Sequence, residues 1–351
     1  MSGNLQKNKK TGKNEMDTGV IRKSNMEEVI NGLLQQGEVM APVRQDGVMV
    51  FSRVQSAAEA DLEYANTKLS PKGCFFPQTE VLFYFEKEGH HMSPPAEDKG
   101  PGFLLGVRPC DARAMALLDP VFDDPEYKDV PYLGGRKERI IIGLACTNPQ
   151  STCFCNTTGG NPLDTTGMDI IWQDLGDRYL VKGVTDRGKN ALQKIVGIEK
   201  ATAEDLKDAE ENGKKALSML PESAFELERV TERLQSSFEE PFWESIHERC
   251  LGCATCTFVC PTCHCFDIQD ENSKERGRRV RLWDSCMFPL FTLHASGHNP
   301  RTSGRERMRQ RIMHKFNYFK VNNGHVACVG CGRCIRECPV NMDIRQILSV
   351  Y

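Results

Sequence analysis

The sequence predicts an α/β or α+β N-terminal domain followed by a smaller, helix-rich domain crowded with cysteine. Three observations predict it. GFLLGV (102–107) and RIIIGLA (139–145) are short continuous apolar runs, the pattern of strands buried on both faces, and DARAMALLD (111–119) between them reads as a helix. Eleven of the sixteen cysteines fall within residues 250–351. The chain of 351 residues has room for two or more domains at about 100–200 residues each.

The expected divisions are a flexible polar tail (1–24), the α/β domain (25–200), a helical connector (201–245) and the cysteine-rich domain (246–351). Ser24 and Glu27 have capping-box spacing, and Val29, Ile30, Leu33 and Leu34 then form one helical face. VMAPV (39–43) and VMVF (48–51) flank Arg44–Gln45–Asp46–Gly47 and read as a hairpin. TEVLFYF (79–85) is another strand, and the helix at 111–119 is expected to start on its Asp as cap. Thr202 and Asp205 cap a helix that Pro221 stops, and a charged helix follows over about 223–237.

Composition excludes several roles. Lys plus Arg (45) nearly balances Asp plus Glu (48), so the net charge of −3 is wrong for a nucleic-acid coat. No uncharged apolar run approaches the ~20 residues of a membrane span. The N-terminal stretch lacks the apolar segment of a secretory signal, which leaves a cytoplasmic protein as the expectation. Such a compartment keeps thiols reduced, so sixteen cysteines point to metal or redox use rather than a disulfide framework.

Two matched runs carry the chemistry. Cys250-x2-Cys253-x2-Cys256-x3-Cys260-Pro261 and Cys328-x2-Cys331-x2-Cys334-x3-Cys338-Pro339 both have the spacing of bacterial two-cluster ferredoxins. Three thiolates at two-residue gaps wrap one turn of chain around a cubane. The fourth points away and ligates the other cluster. Cys250, Cys253, Cys256 and Cys338 are therefore the expected ligands of one [4Fe–4S] cluster, and Cys328, Cys331, Cys334 and Cys260 of a second. Structural zinc uses paired C-x2-C or Cys/His sets and fits this spacing poorly. The 67 residues between Cys260 and Cys328, with Ser303 and Glu306 as a capping box and Met308, Ile312, Met313, Phe316 and Phe319 as an apolar face, fit an α-helical-ferredoxin type of 2×[4Fe–4S] domain.

That linker is also basic, from Arg276, Arg278, Arg279 and Arg281 through Arg301, Arg305, Arg307, Arg309 and Arg311 to Lys315 and Lys320. Three readings stand: a solvated or partner-facing surface, cations that offset a cluster charge of about −2, and a nucleic-acid patch. Cys263, Cys265 and Cys286 read either as small buried apolar residues or as an extra metal or redox thiol site. His264 reads as a packing or hydrogen-bonding residue. In the first domain, Cys110 and Cys146 each follow a predicted buried strand, and Cys153 and Cys155 lie on the loop beyond. These four are candidate ligands of a third cluster, with inert buried thiols as the alternative, and Arg108 and Arg113 would neutralise such a cluster. Cys74 stands alone and reads as structural. There is no G-x-G-x-x-G and no P-loop.

The motifs SPKGCFFPQTE (70–80), GVRPCDARA (106–114), CTNPQSTCFC (146–155), CLGCATCTFVCPTCHCFDI (250–268), WDSCMF (283–288), GHNPR (297–301), RQRIMHKF (309–316) and CVGCGRCIRECPVNMDIR (328–345) together resemble the iron–sulfur β subunit of sulfhydrogenases and the related A subunit of anaerobic sulfite reductase. The resemblance spans about residues 20–351. It implies an electron-transfer subunit of a multisubunit oxidoreductase in the cytoplasm of an anaerobe. A flavoprotein partner would handle NAD(P)H, and a hydrogenase, sulfite reductase or heterodisulfide-reductase-type partner the second substrate. No nucleic acid and no membrane span are expected. The alternative is a directly catalytic sulfur-species reductase using an open cluster or the thiols of Cys263, Cys265 and Cys286.

Overall fold

A computed structural model of the protein describes residues 17–86, 91–95 and 100–350. Twelve strands among these residues form two sheets. They are β1 (Thr18–Arg22), β2 (Glu38–Gln45), β3 (Val48–Arg53), β4 (Thr79–Glu86), β5 (Met92–Ser93), β6 (Gly102–Val107), β7 (Arg139–Leu144), β8 (Ile170–Asp174), β9 (Arg178–Gly183), β10 (Glu199–Lys200), β11 (Phe266–Ser273) and β12 (Arg276–Trp283). One sheet has the order β10-β1-β9-β8-β7-β6-β2-β3, the other β11-β12-β4-β5. The centre of the larger sheet, β2-β6-β7-β8, is parallel and its flanks are antiparallel.

Burial on both faces explains the apolar runs. In β6, Phe103 and Leu105 face a core shared with Val29, Ile30 and Leu33 of helix α1 (Met26–Leu34). Leu104 and Val107 face a second core with Ala112, Met115, Leu118 and Phe122 of α2 (Pro109–Phe122) and Tyr132 of α3 (Val130–Glu138). Thus the mixed α/β reading of the N-terminal part holds. The hairpin also forms, with Val43 opposite Val50 and both Asp46 and Gly47 at positive φ, the mirror-image turn that suits twisted strands.

Four expectations need correction. The expected flexible tail (1–24) does not extend over residues 18–22, which pair with β9 and β10 inside the large sheet; residues 1–16 lie outside those described. Alternating burial of Val20 and Ile21 on opposite faces accounts for their place there. The Ser24 box does not form; Asn25 precedes α1 without a side-chain cap. Helix α2 starts at Pro109, whose fixed φ suits the first turn, so Asp111 is the third helical residue rather than its cap. And the linker between the cysteine runs is not wholly helical, since β11 and β12 form a hairpin that pairs with β4.

Helices α4 (Asp186–Leu192), α5 (Ala203–Ser218), α6 (Leu227–Leu234) and α7 (Phe242–His247) lead into the C-terminal part. The Thr202/Asp205 capping box of α5 is present as expected. Beyond it come α8 (Thr255–Phe258), α9 (Gly304–Met313) with its Ser303/Glu306 box, a π turn (His314–Tyr318), α10 (Phe319–Asn323), α11 (Arg333–Arg336) and α12 (Ile344–Leu348). Gly324 closes α10 in the left-handed conformation. Val230, Leu234, Trp243, Ile246, Met308, Ile312, Phe316 and Leu348 form this part's core, against which Cys250, Cys256, Cys328 and Cys334 pack.

Candidate iron–sulfur sites

The two cysteine runs fold alike. In the first, Gly252 (φ 68) and Ala254 (φ 63) take left-handed conformations, and Ala254 caps α8. In the second, Gly330 (φ 62) and Gly332 (φ 73) do the same, and Gly332 caps α11. Each run is therefore a loop with two left-handed residues closed by one helical turn, a path that turns backbone N–H groups inward toward the sulfurs. Gly252 N donates to Cys250 Sγ at 3.4 Å, and Met342 N to Cys338 Sγ at 3.2 Å. Ala254 accepts a conformation that costs a side-chain-bearing residue about 1–2 kcal/mol.

The runs meet at Cys260. Its charge is close enough to raise the thiols of Cys328, Cys331 and Cys334 of the other run. Burial raises the thiols of Cys256, Cys328, Cys331 (to about 12) and Cys334, while Arg311, Lys315 and Arg333 oppose it. Cys260 is held well below the usual thiol value by a hydrogen bond from Cys263, against its own burial, with help from Lys315.

Arg311 and Lys315 occupy the space between the runs. Both are buried, and neither forms an ion pair with a carboxylate among the described residues. Arg311 lies beside Cys256, Cys334, Cys263 and Cys260, and its buried Nε has no hydrogen-bond partner there. Lys315 Nζ reaches Cys260 Sγ (3.2 Å), Thr262 Oγ1 (3.1 Å) and the Ala327 carbonyl (2.9 Å). Buried cations facing thiols fit a strongly negative group held between the runs. Among the described residues, no three His, Cys, Asp or Glu side chains gather as a site for a single metal ion.

Most of the other basic residues in the linker find counter-ions, within it or elsewhere in the chain. Arg279 pairs with Asp270 (2.7 Å) and Arg278 with Glu271 (2.6 Å) across the β11–β12 hairpin. Arg281 is buried against Glu80 and Asp129. Arg305 pairs with Glu244 (3.2 Å), and Arg309 lies over the Phe238 ring.

The four cysteines of the first domain also converge. Cys110 lies in the first turn of α2 just past β6, and Cys146 follows the adjacent parallel strand β7, so both sit at strand carboxyl ends. Together with Cys153, Cys155 and Arg108 they line one cavity, whose remaining wall includes Gly330 and Cys331 of the second run. Phe154 N donates to the Gly330 carbonyl at 2.8 Å. Side chains at Gly330 or Gly332 would collide with the backbone of Phe154 and Cys155 or of Thr152. Burial raises the Cys155 thiol to about 12. Arg113 turns instead to Asp164 (3.0 Å).

The remaining thiols are paired off. Cys263 is hydrogen-bonded to Cys260, and Cys265 to Cys286, a contact that lowers Cys265 to about 6 despite burial. His264 Nδ1 bonds the Thr262 carbonyl (3.1 Å), and burial lowers its ring to about 4. Cys74 stands apart from these pairs, partly buried, and desolvation raises its thiol to about 12. Two site neighbours carried no sequence signal: Lys72, buried with its Nζ on the Cys263 carbonyl (2.6 Å) and over the Trp283 ring, and Arg333, which bonds Asp111 at 2.6 Å with both side chains wholly buried.

The loops, their thiols and the cations between them define an iron–sulfur protein of the dicluster class, and residues 249–342 match the family model of the 4Fe–4S dicluster domain. The chain is 33% identical over 328 residues to sulfhydrogenase 2 subunit beta of Pyrococcus furiosus, covering 92% of this chain and 94% of that protein. The chain belongs to the sulfhydrogenase β-subunit family. No solved structure matches it. Among the described residues, no helix is long and apolar enough to cross a membrane.

Proposed function

We propose that the protein is the electron relay of a multisubunit cytoplasmic oxidoreductase in an anaerobe. It links a flavoprotein that handles NAD(P)H to a hydrogenase, sulfite reductase or heterodisulfide-reductase-type partner. Cys250, Cys253, Cys256 and Cys338 hold one [4Fe–4S] cluster, and Cys328, Cys331, Cys334 and Cys260 the second. Cys110, Cys146, Cys153 and Cys155 hold a third iron–sulfur cluster. When bound, these groups supply one-electron transfer at potentials set by burial, hydrogen bonding and nearby charge. The chain's own residues bind iron through thiolates, exclude water through the surrounding apolar core and offset negative charge with Arg311, Lys315 and Arg108.

The observation that carries this reading is spatial. Cys260 lies among the thiols of the second run, and that run's loop forms a wall of the four-cysteine cavity. These neighbourhoods support third, second, first as the order in which electrons would pass.

Anaerobic purification with iron and sulfide analysis tests it. We expect about 12 iron atoms per chain for three cubanes, falling to about 8 in the double variant Cys110→Ala/Cys153→Ala. An unchanged count in that variant removes the third site. Fewer than two reducible cubanes, or zinc in their place, rejects the relay.

A further inference from the structure

The two ferredoxin-type thiol sets are near copies in sequence and loop path, yet one element breaks their equivalence. Helix α9 changes to a π turn at His314–Tyr318, and the turn carries Lys315 into the interior. π turns inside helices mark places where a side chain is re-aimed, often at a functional site. Here the ammonium is aimed at one sulfur, that of Cys260. Its other two bonds, to Thr262 Oγ1 and the Ala327 carbonyl, fix its direction, and Thr262 itself donates to the same carbonyl (2.7 Å) and lies 3.2 Å from Cys260 Sγ. The first set differs. Hydrogen bonds recorded on Cys250, Cys253 and Cys338 involve the Gly252 amide, the Thr255 hydroxyl and the Met342 amide, all neutral. Arg311 lies beside Cys256 of one set and Cys334 of the other, so it acts on both.

We propose that Lys315 sets the two ferredoxin-type clusters at different potentials, making the one held by Cys260, Cys328, Cys331 and Cys334 the more easily reduced. Reduction adds one electron and takes the cluster with its thiolates from about −2 to about −3. No bond forms or breaks. A cation hydrogen-bonded to a ligand sulfur in a buried site stabilises the more negative state further, because the attraction is little screened there. Lys315 is a positioning residue acting through Cys260. In the order of electron passage proposed above, it places an electron sink in the middle.

This inference rests on the ligand assignment under Proposed function, and the experiment separates the two. Wild type, Lys315→Met, Lys315→Arg and Cys260→Ser are purified anaerobically as full chains, assayed for iron and titrated by EPR against redox mediators. With iron content unchanged, Lys315→Met is expected to shift one of the two cubane signals to lower potential. The shift should lower the reduced-to-oxidised ratio at fixed potential at least tenfold, ~59 mV for a one-electron couple. Lys315→Arg should restore most of it. Unmoved potentials at full iron content overturn the role of Lys315 while leaving the ligands intact. Cys260→Ser retaining a full, unaltered complement of iron overturns the ligand assignment itself. Should Lys315→Met fail to fold, wild-type protein labelled with 15N-lysine decides: the more easily reduced cubane should show a 15N hyperfine coupling, and its absence overturns the proposal.

Discussion

At the scale of single residues, Asp111 and Arg333 show how a charge can lock two parts of a chain together. Arg333 follows the left-handed Gly332 of the second cysteine run, and Asp111 lies in the first turn of α2 next to Cys110. Both side chains are wholly buried, and Arg333 also bonds the Thr67 carbonyl at 2.8 Å. Breaking such a pair strands a guanidinium without its partner, which costs about 3–5 kcal/mol. Asp111→Ala should therefore lower the unfolding free energy by about 3–5 kcal/mol, read as a fall in the denaturant midpoint at unchanged slope. Replacing both residues by apolar side chains of similar volume should recover much of the loss, since neither charge then stays buried alone. A mild single-variant effect in denaturant titrations would show that water reaches the site.

Among the elements, the second cysteine loop is tightly constrained. A Cβ at Gly330 would meet the backbone at Phe154 and Cys155, and φ is positive there as well. Gly330→Ala should open the seam between that loop and the CFC segment and lower iron content. Gly134→Ala in α3, where a Cβ meets nothing within 4 Å, should leave iron unchanged. Iron assays on the two variants check both. The loops were legible from sequence because cysteine spacing, glycine and proline encode the path locally. The β11–β12 hairpin was not. Every residue of β11 is exposed, so no apolar alternation marks it, and the turn at Lys274 uses a lysine at positive φ instead of glycine. β1 was missed for a related reason: it is short, follows a polar stretch, and owes its place to pairing with β9, more than 150 residues away.

Across the whole molecule, several contacts fasten the N-terminal part to the cysteine-rich part, three of them on different elements. β12 pairs with β4, Arg333 with Asp111, and Ala114 of α2 packs on Val329 and Cys331. Loss of visible cluster absorbance and loss of far-UV circular dichroism should therefore coincide on anaerobic heating, as one cooperative transition. Two separated transitions would mean that the fastenings are weak. This coupling was only partly readable beforehand. The places of Cys110 and Cys146 after predicted strands, with Cys153 and Cys155 on the loop beyond, make the four candidates for one site, with inert buried thiols as the alternative. That Cys331 and Gly330 complete their cavity depends on contacts between segments almost 200 positions apart.

The meeting of Cys260 with Cys328, Cys331 and Cys334 also bears on how the protein is made. A ribosome delivers Cys260 well before the sulfurs that surround it. The early thiols must therefore wait, shielded from stray oxidants, until the second loop emerges and folds back. On the ligand assignment proposed above, iron loading is a late event in biogenesis, and a chain truncated between the two loops lacks ligands for both cubanes.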